Sequence, residues 1–138
     1  RAAEVPVETA ADLLAADPGA FAARVRAELH HLVRALAARD WEEAAAAVRQ
    51  DAGDPWPPER FAAALAPYFD EYGELPFGPE ARRHRLTTIR PAGPRRWQVA
   101  QALLDPADDG LWHVGGTVEL PSEADLGRPL IAVERIGT

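Results

Sequence analysis

Apolar residues recur every three or four positions in the first half of the chain and every second position in its last third. In the first half, spacings of 4, 4, 3 and 4 place one set on a single helical face: Phe21, Val25, Leu29, Leu32 and Leu36. In the last third, apolar residues alternate with polar ones, as in a strand with one buried face. The period therefore predicts helices first and strands after about residue 82.

Short polar motifs predict where the first helices begin. Thr9 followed by Asp12 has the spacing of a capping box, in which each side chain bonds to the other residue's backbone N–H. Asp17-Pro18 is a second start signal, because Asp is a good N-cap and Pro is tolerated at the first helical position. We expect a short helix after Thr9 and a long helix after Asp17.

Two further helices are predicted before the period changes. Asp40 with Glu43 forms another candidate capping box, which predicts a helix over 41–50. A fourth helix is predicted from Pro58 to Gly73. Pro67 lies inside it and is expected to kink or divide it, because proline lacks the N–H that a helix interior needs.

Four strands are predicted in the last third, separated by segments rich in turn-forming residues. Their ranges are 86–90, 96–104, 111–120 and 129–136. Three consecutive hairpins give a four-stranded antiparallel meander, so we predict an α+β fold with the helices covering one sheet face. The predicted organisation is a linker over 1–8 and a single domain over 9–138, with helices in 9–73 and the sheet in 82–137.

Composition narrows the class of protein. The chain has 138 residues, of which 47% are apolar, a size and content typical of one folded domain. There is no cysteine, which excludes thiolate chemistry and fits a reducing compartment, and no apolar run approaches the ~20 residues of a membrane span. Residues 1–8 lack the apolar run of a signal peptide, and the absence of methionine at position 1 is expected for a fragment. We therefore expect a cytoplasmic domain without membrane contact.

The charge of the chain is unevenly distributed. The net charge is −7, yet residues 82–96 contain no acid and carry +6, so the rest carries −13. We predict a nucleic-acid contact at the six arginines of this stretch: Arg82, Arg83, Arg85, Arg90, Arg95 and Arg96. Arginine binds phosphate bidentately, and His84 and Trp97 are candidate stacking surfaces. The alternative is an ordinary charged hairpin whose arginines pair with the acidic remainder.

Aromatic residues and histidines suggest other sites. Trp41, Tyr68, Trp97 and Trp112 would line a ligand pocket if the sheet curved over the helices, although an ordinary aromatic core is favoured. We predict no metal site and no cofactor, because adjacent His30 and His31 diverge by about 100° on a helix and no chelating spacing occurs. Asp105-Pro106 is interpreted as a turn, and we predict no catalytic residues.

Two segments carry a resemblance to a known family. The first is 56–72, Trp-Pro-Pro-Glu-Arg-Phe-Ala-Ala-Ala-Leu-Ala-Pro-Tyr-Phe-Asp-Glu-Tyr, followed by 78–82. The second comprises 96–99, 104–107, Trp112 and 118–120. From about Val25 to Ile136 the chain resembles the domain of unknown function at the C terminus of a group of bacterial DEAD/DEAH-box RNA helicases. It departs from that pattern at 76–79, where Pro-Phe-Gly-Pro replaces Gly-Thr-Gly-Pro.

The resemblance implies an accessory domain with the helicase core of the same protein and RNA as partners. ATPase activity is not expected in this chain, which has no lysine and no phosphate loop. The run 29–48 is also similar to the opening helices of the nuclear-transport-factor-like cone fold. Two alternatives follow, a cone-fold ligand binder or enzyme with a deep pocket, and a protein-interaction or dimerisation module with an exposed apolar patch.

Overall fold

The computed structural model describes residues 7–138, in which four helices precede a four-stranded sheet. The helices are α1 (Ala10–Ala15), α2 (Pro18–Ala37), α3 (Trp41–Ala46) and α4 (Pro58–Tyr72). Two 3₁₀ turns, Pro79–Arg82 and His84–Leu86, lead into the strands β1 (Thr87–Gly93), β2 (Arg96–Ala102), β3 (His113–Glu119) and β4 (Ile131–Gly137). The sheet order is β1-β2-β3-β4 with every pair antiparallel, which confirms the predicted α+β meander.

Most of the predicted linker over 1–8 lies outside the described residues. The start signals that follow it are confirmed. The Thr9 N–H donates to Asp12 Oδ2 and the Asp12 N–H donates to Thr9 Oγ1, both at 3.1 Å. Asp17 Oδ1 accepts the Ala20 N–H at 3.0 Å and so caps α2.

Among the helices of residues 7–138, none has the length and hydrophobicity that a membrane span requires.

Only half of the second predicted capping box forms. Asp40 Oδ1 accepts the Glu43 N–H at 3.1 Å, as an N-cap should. The Glu43 carboxylate does not return to the Asp40 backbone, because it lies 2.6 Å from His31 Nε2 on α2. A contact between two helices has replaced the local one.

Helix α3 is shorter than the sequence predicts, ending at Ala46 rather than near Gln50. Beyond it, the Arg49 N–H donates to the Ile131 carbonyl at the start of β4, at 2.7 Å. The Gln50 side chain bonds to both the N–H and the carbonyl of Trp56. The helix ends here because the Arg49 N–H bonds to β4 and the Gln50 side chain bonds to the following loop, instead of continuing the helix.

The sequence predicts that Pro67 kinks or divides helix α4, and the structure excludes division, because the helix runs continuously through Pro67. Pro67 and Ala63, whose carbonyl would have accepted the missing bond, both lie on the exposed face of the helix. On that face the Ala63 carbonyl is open to solvent, and water can donate to it in place of the missing N–H. The helix ends at Gly73, whose positive φ of 78° disfavours other residues.

The core lies between the helices and the inner face of the sheet. One apolar cluster joins the second half of α2 to α3, α4, β3 and β4, with Tyr68 and Trp112 in it. The other joins α1 and the first half of α2 to the sheet, around Phe21, Val99 and Val118. The predicted α2 face is buried along its whole length. On the outer face, side chains such as Arg90, Gln98 and His113 are exposed.

A β-bulge interrupts the pairing of β3 with β4. Gly116 pairs with Val133 and Gly115 pairs with Arg135, which leaves Glu134 as an extra residue on β4. Val133 belongs to the inner apolar cluster, whereas Glu134 and Arg135 are both exposed. The bulge therefore gives β4 two consecutive charged side chains at the sheet surface.

Asp12 links the N-terminal helix to two distant loops. Its Oδ1 accepts from the Ser122 hydroxyl at 2.7 Å and from Arg95 Nη1 at 2.9 Å, while its Oδ2 accepts the cap bond from the Thr9 N–H. The Ser122 bond first, then the Thr9 backbone and Arg95, hold the pKa of Asp12 well below its usual range. The ionised carboxylate is therefore the form that stabilises the fold.

We expect Asp12→Asn to lower the free energy of unfolding at pH 7 and to cost progressively less as the pH falls. A depressed folded-state pKa stabilises above the unfolded value of 3.8 and loses that contribution as pH falls toward the folded value. Urea denaturation of both proteins between pH 7 and pH 2 measures this. Asp125→Asn, at a more exposed ion pair with Arg128, is the control, and a pH-independent cost at Asp12 would contradict the assignment.

Candidate nucleic-acid interface

Four consecutive exposed residues form what we call the basic segment, which comprises Arg82, Arg83, His84 and Arg85. It spans the two 3₁₀ turns and is fixed at each end by a buried residue. Ala81, just before it, is 4% exposed, and Leu86, just after it, is 9% exposed. The segment is thus anchored at both ends while its charged side chains face solvent.

A buried amide holds the basic segment against the sheet. Gln101 of β2 is completely buried, and its Nε2 donates to the Ala81 carbonyl at 3.5 Å. The Thr87 hydroxyl donates to Gln101 Oε1, which ties the start of β1 to the same side chain. The sequence analysis does not single out Gln101 as a buried residue. The alternation of Trp97, Val99 and Leu103 indicates its burial, since it places position 101 on the inner face of the sheet.

The six predicted arginines do not form one cluster. Arg82, Arg83 and Arg85 precede β1, whereas Arg95 and Arg96 lie at the β1–β2 turn, at the other end of the hairpin. A strand of seven residues is about 20 Å long, so the two groups are separated by roughly that distance. Sequence proximity does not bring them together because the hairpin extends between them.

The two groups also differ in their partners. Arg95 Nη1 pairs with Asp12 at 2.9 Å and its Nε donates to the Leu120 carbonyl, so its charge is used within the fold. Arg96 lies 4.0 Å from Glu119. Among residues 7–138, by contrast, no carboxylate forms an ion pair with Arg90 or with the three arginines of the basic segment.

The positive field of the basic segment extends to α2. His30 Nε2 is buried and has no hydrogen-bond partner within residues 7–138. Burial lowers the pKa of His30, and the charges of Arg82, Arg26 and His84 lower it further. Arg26 on α2 and Arg82 in the basic segment therefore lie close to the same histidine.

A family model matches residues 1–136, which include the helices, the sheet and the basic segment. The chain belongs to this family. Its description is Domain of unknown function (DUF3516). No curated protein and no solved structure matches the chain. The DUF3516 domain here therefore comprises both layers of the fold.

The aromatic residues of the DUF3516 domain are core residues. Tyr68 is fully buried and Trp112 packs edge-on against it, with ring centroids 5.4 Å apart. Trp41 packs on Phe69 in the same cluster. Trp97 belongs to the other cluster, 4.2 Å from the ring of Phe21. The four predicted pocket residues thus do not surround one cavity, and Trp97 faces the core rather than a nucleic acid.

The Asp105 carboxylate accepts hydrogen bonds from the backbone of its own loop. Its two oxygens accept the N–H groups of Ala107, Asp109 and Gly110 at 2.9–3.0 Å. Burial alone would raise the pKa of Asp105, but these bonds lower it overall. The arrangement is the Asp-Pro turn that the sequence indicates. Within residues 7–138, no group of three or more histidines and carboxylates is placed to hold a metal ion.

Proposed function

We propose that this chain is a non-catalytic accessory domain that contacts RNA through the basic segment, at the C terminus of a bacterial, cytoplasmic DEAD/DEAH-box RNA helicase. One observation carries the RNA contact. The arginines of the basic segment, with Arg90, are exposed and have no carboxylate partner in residues 7–138. Unpaired guanidinium groups are the donors that bind phosphate bidentately.

The helicase context rests on the resemblance of residues 56–72 and 96–120 to that group of C-terminal domains. Family membership supports the coarser statement only, that the chain is a DUF3516 domain. In this proposal the ATPase motifs lie in the helicase core, which is the partner of the domain within one protein. The domain adds RNA contact or packs on that core.

The net charge of −7 is compatible with RNA binding. Exposed charges more than about 8 Å apart are largely screened at physiological ionic strength, so a phosphate responds to the charges nearest to it. Near the basic segment those are Arg82, Arg83, Arg85 and, on α2, Arg26, together with the single negative charge of Glu80 in the same 3₁₀ turn, so the local balance is positive. The acids of the opposite end of the sheet do not cancel this local field.

Two observations favour this proposal over its rivals. A protein-interaction module would expose a contiguous apolar patch. In the described part of the chain, the large exposed apolar side chains are three: Val7 just before α1, Leu13 in α1, and Leu111 before β3. A cone-fold enzyme would need a buried acid or base in a deep pocket, whereas buried Asp105 caps its own loop.

We expect Arg82→Gln/Arg83→Gln to weaken binding of a fluorescently labelled single-stranded RNA by about tenfold or more at low salt. Fluorescence anisotropy at several salt concentrations measures this. Because each phosphate contact contributes about −0.7 to the slope of log K against log salt, the slope should become shallower by about 1.4. The matched control is Arg34→Gln/Arg128→Gln, which removes the same charge from two exposed arginines elsewhere.

Two results would overturn the RNA contact. Absence of binding by the unaltered chain at low salt would leave the helicase core as the partner to test. An equal loss of binding in the control variant would mean that total charge, rather than the basic segment, determines the affinity.

A further inference from the structure

A hollow of about 400 Å³ lies on the outer face of the sheet and is lined by all four strands. Its floor is formed by Ala100 of β2 and Gly115 of β3, which are direct cross-strand neighbours. Two of the smallest residues thus meet in the middle of the sheet. Longer polar side chains surround them: Thr88, Arg90, Gln98, His113, Glu134 and Arg135.

The β-bulge builds one rim of this hollow. In a regular strand, consecutive side chains point to opposite faces, so only one of Glu134 and Arg135 would face outward. Because Glu134 is the extra residue, both side chains line the hollow. The Arg135 Nη2 also donates to the Thr138 carbonyl at 2.8 Å, which directs the guanidinium toward the chain end.

The rim offers a defined set of hydrogen-bonding groups around a flat, apolar floor. Arg90 on β1 and Arg135 on β4 are guanidinium donors at opposite sides. Gln98 both donates and accepts through its amide, and Glu134 accepts. A ligand that fits this chemistry is flat, has polar edges with both donors and acceptors, and carries an anionic group. A nucleotide has these features, and the hollow falls within the ~300–1,000 Å³ range of ligand sites.

The position of the hollow also fits a continuous strand of nucleic acid. Thr88 on its rim is three residues after Arg85, so the hollow extends from the middle of the sheet toward the end that carries the basic segment. Toward the β1–β2 turn lies a second hollow of about 450 Å³, lined by four acids and two arginines. Its acids are Asp51, Asp54, Glu119 and Glu134. They repel phosphate, so the backbone would leave the first hollow toward the basic segment.

We propose that the hollow over Ala100 and Gly115 binds one unstacked nucleotide of single-stranded RNA, with its base on the floor and its phosphate at Arg90. This rests on the proposed RNA contact and adds to it a subsite that recognises a base. An exposed base has polar edges that a duplex conceals, so the subsite selects single strands. Gln98 and Glu134 face the base edges, and Arg90 faces the phosphate side.

The test compares two labelled probes of equal length, a single-stranded RNA and an abasic oligonucleotide with the same number of phosphates. We expect the unaltered chain to bind the RNA about tenfold more tightly than the abasic probe, roughly the effect of one or two net hydrogen bonds from Gln98 and Glu134 to a base edge. Gly115→Val should remove this preference and leave the salt dependence unchanged, because valine fills the floor. The added Cβ has room, since its nearest contact is Arg135 Cγ at 3.5 Å.

Ala92→Val, which adds bulk on β1 outside the hollow, is the matched control and should keep the preference. If Gly115→Val does not fold, Ala100→Leu places the obstruction on the other floor residue. Equal binding of both probes by the unaltered chain, or a preference that survives the filled floor, overturns the base subsite. Failure to bind either probe overturns the RNA contact itself, so the two failures are distinguishable.

Discussion

Gly116→Ala is expected to lower the free energy of unfolding by about 2–3 kcal/mol, the usual cost of forcing extra atoms into a packed site. A Cβ at this position would lie 2.5 Å from the Ala132 carbonyl oxygen and 3.0 Å from Ile131 Cγ2. The first of these atoms belongs to the backbone of the neighbouring strand, which cannot move without separating β3 from β4. Only glycine allows the two strands to approach this closely at the bulge.

The neighbouring glycine provides the control. Gly115→Ala makes the same chemical change one residue earlier, where the nearest atom lies 3.5 Å away and belongs to a side chain. Because alanine restricts the unfolded chain, we expect this variant to be unchanged or more stable by about 0.5 kcal/mol. Urea denaturation of both variants in parallel measures the difference. Equal costs at Gly115 and Gly116 would show that close strand approach is not the reason for glycine here.

The two glycines have different roles, Gly116 in the stability of the fold and Gly115 in what the outer face binds. Gly116 permits the bulge, and the bulge brings Glu134 and Arg135 to the outer face together. Gly115 makes no close contact of its own and leaves the floor of the hollow open. A variant at Gly116 is therefore expected to lower the free energy of unfolding, whereas a variant at Gly115 is expected to change mainly what the outer face binds.

Local signals predicted much of the fold because they act within a few residues. The capping box of Thr9 and Asp12 and the Asp17 cap depend on neighbours three positions away, and both form as predicted. The general alternation predicted for the strands also holds in β3, where Val114 and Val118 are buried and the polar residues His113 and Glu119 are exposed. In these cases tertiary contacts reinforce the local preference, so the sequence alone was sufficient.

Predictions failed where a distant contact replaced a local one. Helix α3 ends early because Arg49 bonds to Ile131, more than eighty residues away in sequence. Glu43 leaves its capping box for His31. Neither partner is visible from the local pattern. Pro67 is tolerated because that side of α4 faces water, which the pattern of one helix does not settle alone.

The candidate sites show the same limit. The six arginines are close in sequence, yet the hairpin places three of them at one end, two at the other and Arg90 between. Arg95 is paired by Asp12 of α1 and by the Leu120 carbonyl, neither of which is close to it in sequence. The floor of the hollow requires the register that pairs Ala100 with Gly115. Its rim requires a bulge at Glu134. Strand register and bulges follow from the whole sheet, so charge was predictable here and the shape of the surface was not.

Tyr68→Ala is expected to lower the free energy of unfolding by about 4 kcal/mol, within the range for removing a large buried aromatic ring. Tyr68 is completely buried, and its ring lies about 5 Å from three others: Phe69, Tyr72 and Trp112. Truncation would leave a cavity between α4 and the sheet that rigid neighbouring rings fill poorly. Small domains are stable by only ~5–15 kcal/mol, so we expect a large fall in the melting temperature.

Tyr68→Phe separates the ring from its hydroxyl group. The hydroxyl oxygen lies 2.7 Å from the Leu104 carbonyl and 3.2 Å from the Glu74 carbonyl, so its single hydrogen joins α4 to the loops after α4 and β2. Losing that bond should cost about 1–1.5 kcal/mol. Thermal and urea unfolding of the two variants would separate the contribution of the hydroxyl group from that of the packed ring. If phenylalanine cost as much as alanine, the hydrogen bond rather than the packed ring would hold α4 on the sheet, and the aromatic cluster would be secondary to the link between the two loops.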